Sequence, residues 1–301
     1  MTTAVTTLLT PYHQALPNAQ RIWLAEQLLD ESLARCTCRR GAARHAREAV
    51  HSAAFTEPCA PAGASPAELL TAGRYPMLFL LVEDSPAEEA RSLAELLREP
   101  ARPTGPGPGP GPGPGSASGT GTGTGEARSQ LDALLADFEQ RGLPTGRLLA
   151  LLAELCSAVA AESATDPAAP PPSPEQLRRR RMGTIGTYPY LECWRLLHGL
   201  PPADPGTAAG RLTDAAVEAV YLADDLLRAD GGPGLVREAA VTRYNELVHE
   251  LATAPSGPYP GLLARVVDGR LTVHRDLAAA RRPGAPPALT DRLHRVAEAW
   301  A

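Results

Sequence analysis

Apolar residues recur at every third or fourth position through most of this chain, and that spacing confines it to helices. Over residues 18–34 it aligns Ile22, Ala25, Leu28, Leu29 and Leu33 on one stripe with Leu24 beside it, an amphipathic helix. The alternation of β-branched and aromatic residues that marks strands is scarce, and only 4% of the residues are aromatic. Further helices are expected over 66–81 (one, or two short ones), 90–97, 126–141, 145–162, 174–181, 190–198, 208–230, 235–252, 260–280 and 290–300. The expected fold is all-α, a single helical bundle formed by one domain over residues 1–301.

Two segments interrupt the pattern. The chain holds 27 Gly and 31 Pro among 301 residues, and they concentrate in 101–125 and in 164–174. From Gly105 to Gly115 glycine recurs at every second residue, so a collagen helix, which needs it at every third, is excluded. The Gly-x-Gly run that ends at Gly125 follows no strand and reads as low-complexity linker, not as a phosphate cradle.

Several function classes fall away. The longest uncharged apolar run, 75–82, is far shorter than the about 20 residues of a membrane-spanning helix. The N-terminus lacks a basic region followed by an apolar one, so a cytoplasmic protein without a membrane span is expected. Five cysteines at irregular spacing read as reduced thiols. A net charge of −5, with Arg as the sole strongly basic residue type, argues against a nucleic-acid partner.

Three segments carry chemistry. On the helix over 208–230 the apolar stripe Val217, Val220, Tyr221 and Leu227 continues through Asp224, which directs that carboxylate inward. A carboxylate so placed takes either an arginine of a neighbouring helix or a divalent cation. A second acidic cluster, Glu83, Asp84 and Glu88, follows the most apolar stretch of the chain. Asp84 and Glu88 would share one helix face, unless Pro86 restarts the helix with Asp84 or Ser85 as its cap. Between these clusters lie four consecutive arginines, Arg178 to Arg181, and a helix break at Gly183, Gly186 and Pro189 beside Ile185, Tyr188 and Tyr190. Carboxylates for a metal, arginine for a phosphate and an apolar cavity together point to a diphosphate with an apolar tail.

The run from Arg181 through Met182, Gly183, Thr184, Ile185, Gly186, Thr187 and Tyr188 to Pro189 resembles the diphosphate-sensing arginine and helix break of bacterial class I terpene synthases. Met77 to Asp84 resembles the helix leading into that family's aspartate-rich motif, and Glu83, Asp84 and Glu88 match its DDxxxE variant with Glu in first place. Val220 to Arg228 resembles the start of its second metal motif, with Asp224 at the Asn position, Arg228 in place of the Ser and Gly232 in place of the Glu.

The resemblance implies magnesium-dependent ionisation and cyclisation of a prenyl diphosphate, of geranyl or farnesyl length. Glu83, Asp84, Glu88 and Asp224 would be metal ligands, and Arg181 the catalytic diphosphate-binding group. Phe79, Gly186, Tyr188, Tyr221, Asp225 and Arg228 complete the substrate-binding set, and a homodimer is compatible with it. The substituted second motif keeps open a relative that binds without turnover. An unrelated helical interaction protein, with the charged clusters as solvated faces, is a third reading.

Overall fold

A computed structural model describes residues 18–35, 42–99, 122–166, 172–228 and 234–280. Among the described residues the chain is entirely helical. In chain order the helices are α1 (Asn18–Arg35), α2 (Ala42–Cys59), α3 (Pro66–Glu83), α4 (Ala87–Arg98), α5 (Thr122–Gln140) and α6 (Gly146–Ser163). They continue with α7 (Pro174–Thr184), α8 (Thr187–Leu197), α9 (Ala208–Arg228), α10 (Gly234–Thr253) and α11 (Pro258–Ala280). The helix expected over 290–300 lies outside the described residues, as does most of the segment 101–125. The last residues of that segment, Thr122 to Gly125, open α5 and are not linker. In the segment 164–174, residues 167–171 lie outside the description, and Ser173 and Pro174 begin α7.

Local chemistry sets the boundaries. Ser65 accepts a hydrogen bond from the Glu68 N–H while the Glu68 carboxylate accepts from the Ser65 N–H, a reciprocal cap at the start of α3. Ser173 and Gln176 repeat it at α7, and in both helices Pro at the first position forfeits an N–H that had no partner to lose. At the end of α5, Gly142 takes φ +66° and allows the Leu143 N–H to reach back to the Phe138 carbonyl at 2.9 Å.

α2 departs from the sequence pattern, which marks no helix over 42–59. Its buried face is built from Ala49, Val50 and Ala53 together with His45, Glu48, Ser52, Thr56 and Glu57. Small and polar side chains do not register as an apolar stripe, although alanine favours the helix itself.

Buried side chains from all eleven helices merge into one core, with Trp194, Phe138, Leu28 and Met77 among its fully enclosed members. α2 packs on α1, α3 and α11; α6 on α4 and α7; and α9 on α10 and α11. Buried carboxylates inside this core are matched by arginine. Glu192 takes two bonds from Arg195 (2.6 and 2.7 Å), and Glu218 is held by Arg178 and Arg243. Among the described residues no helix is long and apolar enough to cross a membrane.

Candidate functional site

Six helices converge on a cavity of about 310 Å³. Its inner wall is apolar: Phe55 from α2, Phe79 and Leu80 from α3, Val159 from α6, and Ile185 from the turn after α7. Its polar groups are Glu83, Glu162, Ser163, Arg181, Thr184, Asp224 and Arg270. That volume lies at the small end of the range for small-molecule sites.

α3 delivers Phe79 and Glu83 to this wall and then stops. The Asp84 N–H closes the last turn on the Leu80 carbonyl at 3.1 Å, and the Ser85 hydroxyl donates to the Leu81 carbonyl at 2.6 Å. Pro86 leaves the helical region with ψ 148°, and α4 begins at Ala87. Asp84 and Glu88 therefore belong to different helices and do not share a face. Pro86 is the reason, because it cannot extend the α3 hydrogen-bond ladder. Neither Asp84 nor Ser85 caps α4; Pro86 holds that position, and no side chain caps it. Asp84 is 67% exposed and stands 3.7 Å from Arg44, and Glu88 is exposed in the first turn of α4.

α7 delivers Arg181. The helix runs on through Gly183 to Thr184, and the break expected at three places is confined to Ile185 and Gly186. Gly183 stays helical where α7 packs closely on α6: a Cβ there would lie 3.3 Å from that of Ala158. Pro189 sits in the first turn of α8, where its missing N–H is harmless. Gly186 itself has φ +70°, and its carbonyl accepts a 2.5 Å hydrogen bond from the Tyr75 hydroxyl. Tyr75 stacks between Phe79 and Tyr190, so this turn and the aromatic wall are one packed unit.

α9 supplies the counter-charge. Arg181 Nη2 donates to Asp224 Oδ2 at 3.1 Å and to Asp225 Oδ1 at 2.6 Å. Asp224 is buried, whereas Asp225 is partly exposed. Burial by itself would lower the Arg181 pKa. The hydrogen bond and charge of Asp225, with the charge of Asp224, more than offset it and hold the guanidinium above its ordinary value.

The structure thus brings Phe79, Glu83, Arg181 and Asp224 to the lining of one cavity, with Asp225 joined through Arg181 and Gly186 directly behind Phe79. The other expected site residues stand elsewhere. The Tyr188 hydroxyl donates to Asp214 at 2.8 Å, and burial and that carboxylate raise its pKa. Tyr221 is buried among Glu218, Arg178 and Asp225, its pKa raised by burial first and by Glu218 next. The Arg228 side chain lies outside the described residues. Phe55, Glu162, Ser163 and Arg270 line the cavity without having been singled out in the sequence. The Arg270 guanidinium lies 4.2 Å over the centre of the Phe55 ring.

The four carboxylates of the implied metal set are not gathered. Glu83 and Asp224 face the cavity, Asp84 and Glu88 do not, and Asp224 already accepts from Arg181. Among the described residues no three His, Cys, Asp or Glu side chains assemble into a group able to hold a metal ion. These residues do not fit the magnesium site that the family resemblance implies.

No protein-family model and no curated protein matches the chain. Among solved structures it is similar to the SVS_A2 protein from ancestral sequence reconstruction, with a TM-score of 0.63 and 17% identity over 94% of this chain and 96% of that one. A doubly substituted variant of SVS_A2 gives a TM-score of 0.64 with 16% identity, over 95% and 97% of the two chains. The two structures share a fold, which among the described residues of this chain is entirely helical.

Proposed function

We propose that this chain is a terpene-synthase-like protein that admits a prenyl diphosphate of geranyl or farnesyl length, ionises it and cyclises the cation with release of diphosphate. The observation that carries this reading is the placement of Arg181 and Asp224 on the lining of a cavity whose apolar part is made of Phe55, Phe79, Leu80, Val159 and Ile185. An apolar wall accepts a prenyl chain and excludes water, while a guanidinium grips diphosphate oxygens through paired N–H groups.

Negative charge builds on the leaving diphosphate as the allylic C–O bond breaks. A donor fixed beforehand at that position lowers the barrier more than one that must reorganise. Asp224 and Asp225 perform the fixing, since both bind the same nitrogen of Arg181. The ring face of Phe79 would meet the cation that forms. Among the described residues the carboxylates do not form a metal set.

That same placement of the carboxylates favours a second reading, binding of a prenyl diphosphate without turnover. The deciding experiment incubates the purified protein with geranyl, farnesyl and geranylgeranyl diphosphate, each with and without magnesium. Ligand binding, diphosphate release and volatile products are all measured. A hydrocarbon or alcohol product that is lost in Arg181→Ala is the expected result. Binding with no release selects the second reading, and neither binding nor release defeats both.

A further inference from the structure

Two guanidinium groups line the cavity, and they are engaged differently. Arg181 spends one nitrogen, Nη2, on Asp224 and Asp225, and its Nε and Nη1 make no hydrogen bond to any described residue. Arg270 is half-buried, and among the described residues it has neither a carboxylate partner nor a hydrogen bond; its one direct contact of that kind is the Phe55 ring. A guanidinium held over an aromatic ring spends no N–H on a carboxylate and keeps its planar fork of donors for an anion. Leaving such donors unmatched in a half-buried position is costly unless solvent or a ligand meets them.

The position of Arg270 is set by close helix packing. A Cβ at the preceding residue, Gly269, would lie 2.5 Å from Cys59 Sγ and 2.8 Å from the Cys59 nitrogen, so α11 and α2 touch there almost backbone to backbone. That contact places the next residue of α11, Arg270, over Phe55, which lies one turn before Cys59 on α2. Guanidinium groups also stand against two of the four carboxylates that a divalent cation would need: Arg181 at Asp224 and Arg44 at Asp84.

We infer that the cavity holds the diphosphate head of its ligand between Arg270 and the Nε–Nη1 edge of Arg181, without a divalent cation. Arg270 belongs to none of the motifs in the sequence and is here a binding residue. This inference rests on the prenyl diphosphate reading given above.

Calorimetric titration of the full chain with farnesyl diphosphate and with inorganic diphosphate, in EDTA and in magnesium, tests it. Saturable binding of both in EDTA is expected, with Kd within about threefold of the magnesium value. Arg270→Met should weaken binding in EDTA by about tenfold or more, and Arg270→Lys should recover part of the loss. Binding that requires magnesium, or that tightens about tenfold with it, overturns the inference and leaves the prenyl diphosphate reading standing. Wild-type affinity in Arg270→Met likewise overturns the role of Arg270. Absence of farnesyl diphosphate binding under both conditions overturns the functional reading and this inference with it. The wild-type comparison and the Lys variant decide the matter even if the Met variant fails to fold.

Discussion

The Tyr75 hydroxyl donates a 2.5 Å hydrogen bond to the Gly186 carbonyl, and this bond fastens the middle of α3 to the turn between α7 and α8. Residues 111 positions apart in sequence are thereby locked in register. Arg181, one turn before this bend, inherits its position from it. Tyr75 is fully enclosed, and burial drives its pKa well above the ordinary tyrosine value, so the hydroxyl stays protonated and remains a donor.

Gly186→Ala should be strongly destabilising for two separable reasons. The backbone there has φ +70°, which a Cβ disfavours, and that Cβ would lie 2.6 Å from the Phe79 ring and 2.9 Å from the Tyr75 hydroxyl. Together the strain and the overpacking should cost about 2 kcal/mol or more. Urea denaturation would show this as a lower midpoint with an unchanged slope. A midpoint equal to wild type would mean that the turn can take another form.

Acid stability should depend on Glu218. Burial alone would raise its pKa, but hydrogen bonds from Arg243 and Arg178 outweigh that and bring it below the ordinary value. A carboxylate whose pKa is lower in the folded state stabilises the fold above its unfolded pKa, about 4.3, and that contribution disappears as pH falls through the folded value. Glu218→Gln should therefore be less stable than wild type by about 1 kcal/mol at neutral pH, since both arginines are partly solvated. The gap should narrow below about pH 4. Denaturation curves at pH 7, 5, 4 and 3 would check it, and a gap that widened on acidification would contradict the assignment.

The reciprocal cap at α3 should be separable from the site. Ser65→Ala removes the acceptor for the Glu68 N–H and should lower stability by about 1 kcal/mol. Diphosphate affinity should not change, because Ser65 lies at the opposite end of α3 from Phe79 and Glu83. Thermal melts and the calorimetric titration described above would measure both.

The helices were largely readable in the sequence because large apolar residues mark them, and so was the inward position of Asp224, which continues the stripe of Val217, Val220 and Tyr221. Three things were not. α2 escaped because alanine and polar side chains form its buried face, and with it went Phe55. Arg270 carries no local signal, since its place on the cavity follows from the contact of Gly269 with Cys59, more than 200 residues away in sequence. Whether the acidic cluster near residue 84 would act as one group turned on Pro86, whose effect on the chain direction depends on where α3 ends.

Arg181 and its two aspartates should respond unequally to mutation, and the inequality tests how the cavity wall is held. Asp224 is 4% exposed and Asp225 43%, and both accept from the same nitrogen. Arg181→Met takes that guanidinium from the buried Asp224 and from its neighbour Asp225, at a cost of about 2 kcal/mol. Asp224→Asn retains an oxygen for Arg181 and relieves a buried charge, so its cost should be smaller. Asp225→Asn touches a partly solvated pair and should fall within about 0.5 kcal/mol of wild type. Melting temperatures should therefore rise in the order Arg181→Met, Asp224→Asn, Asp225→Asn. If Asp225→Asn proved as damaging as Arg181→Met, the shorter 2.6 Å contact would be the one that holds Arg181 to the wall, and Asp224 would be secondary.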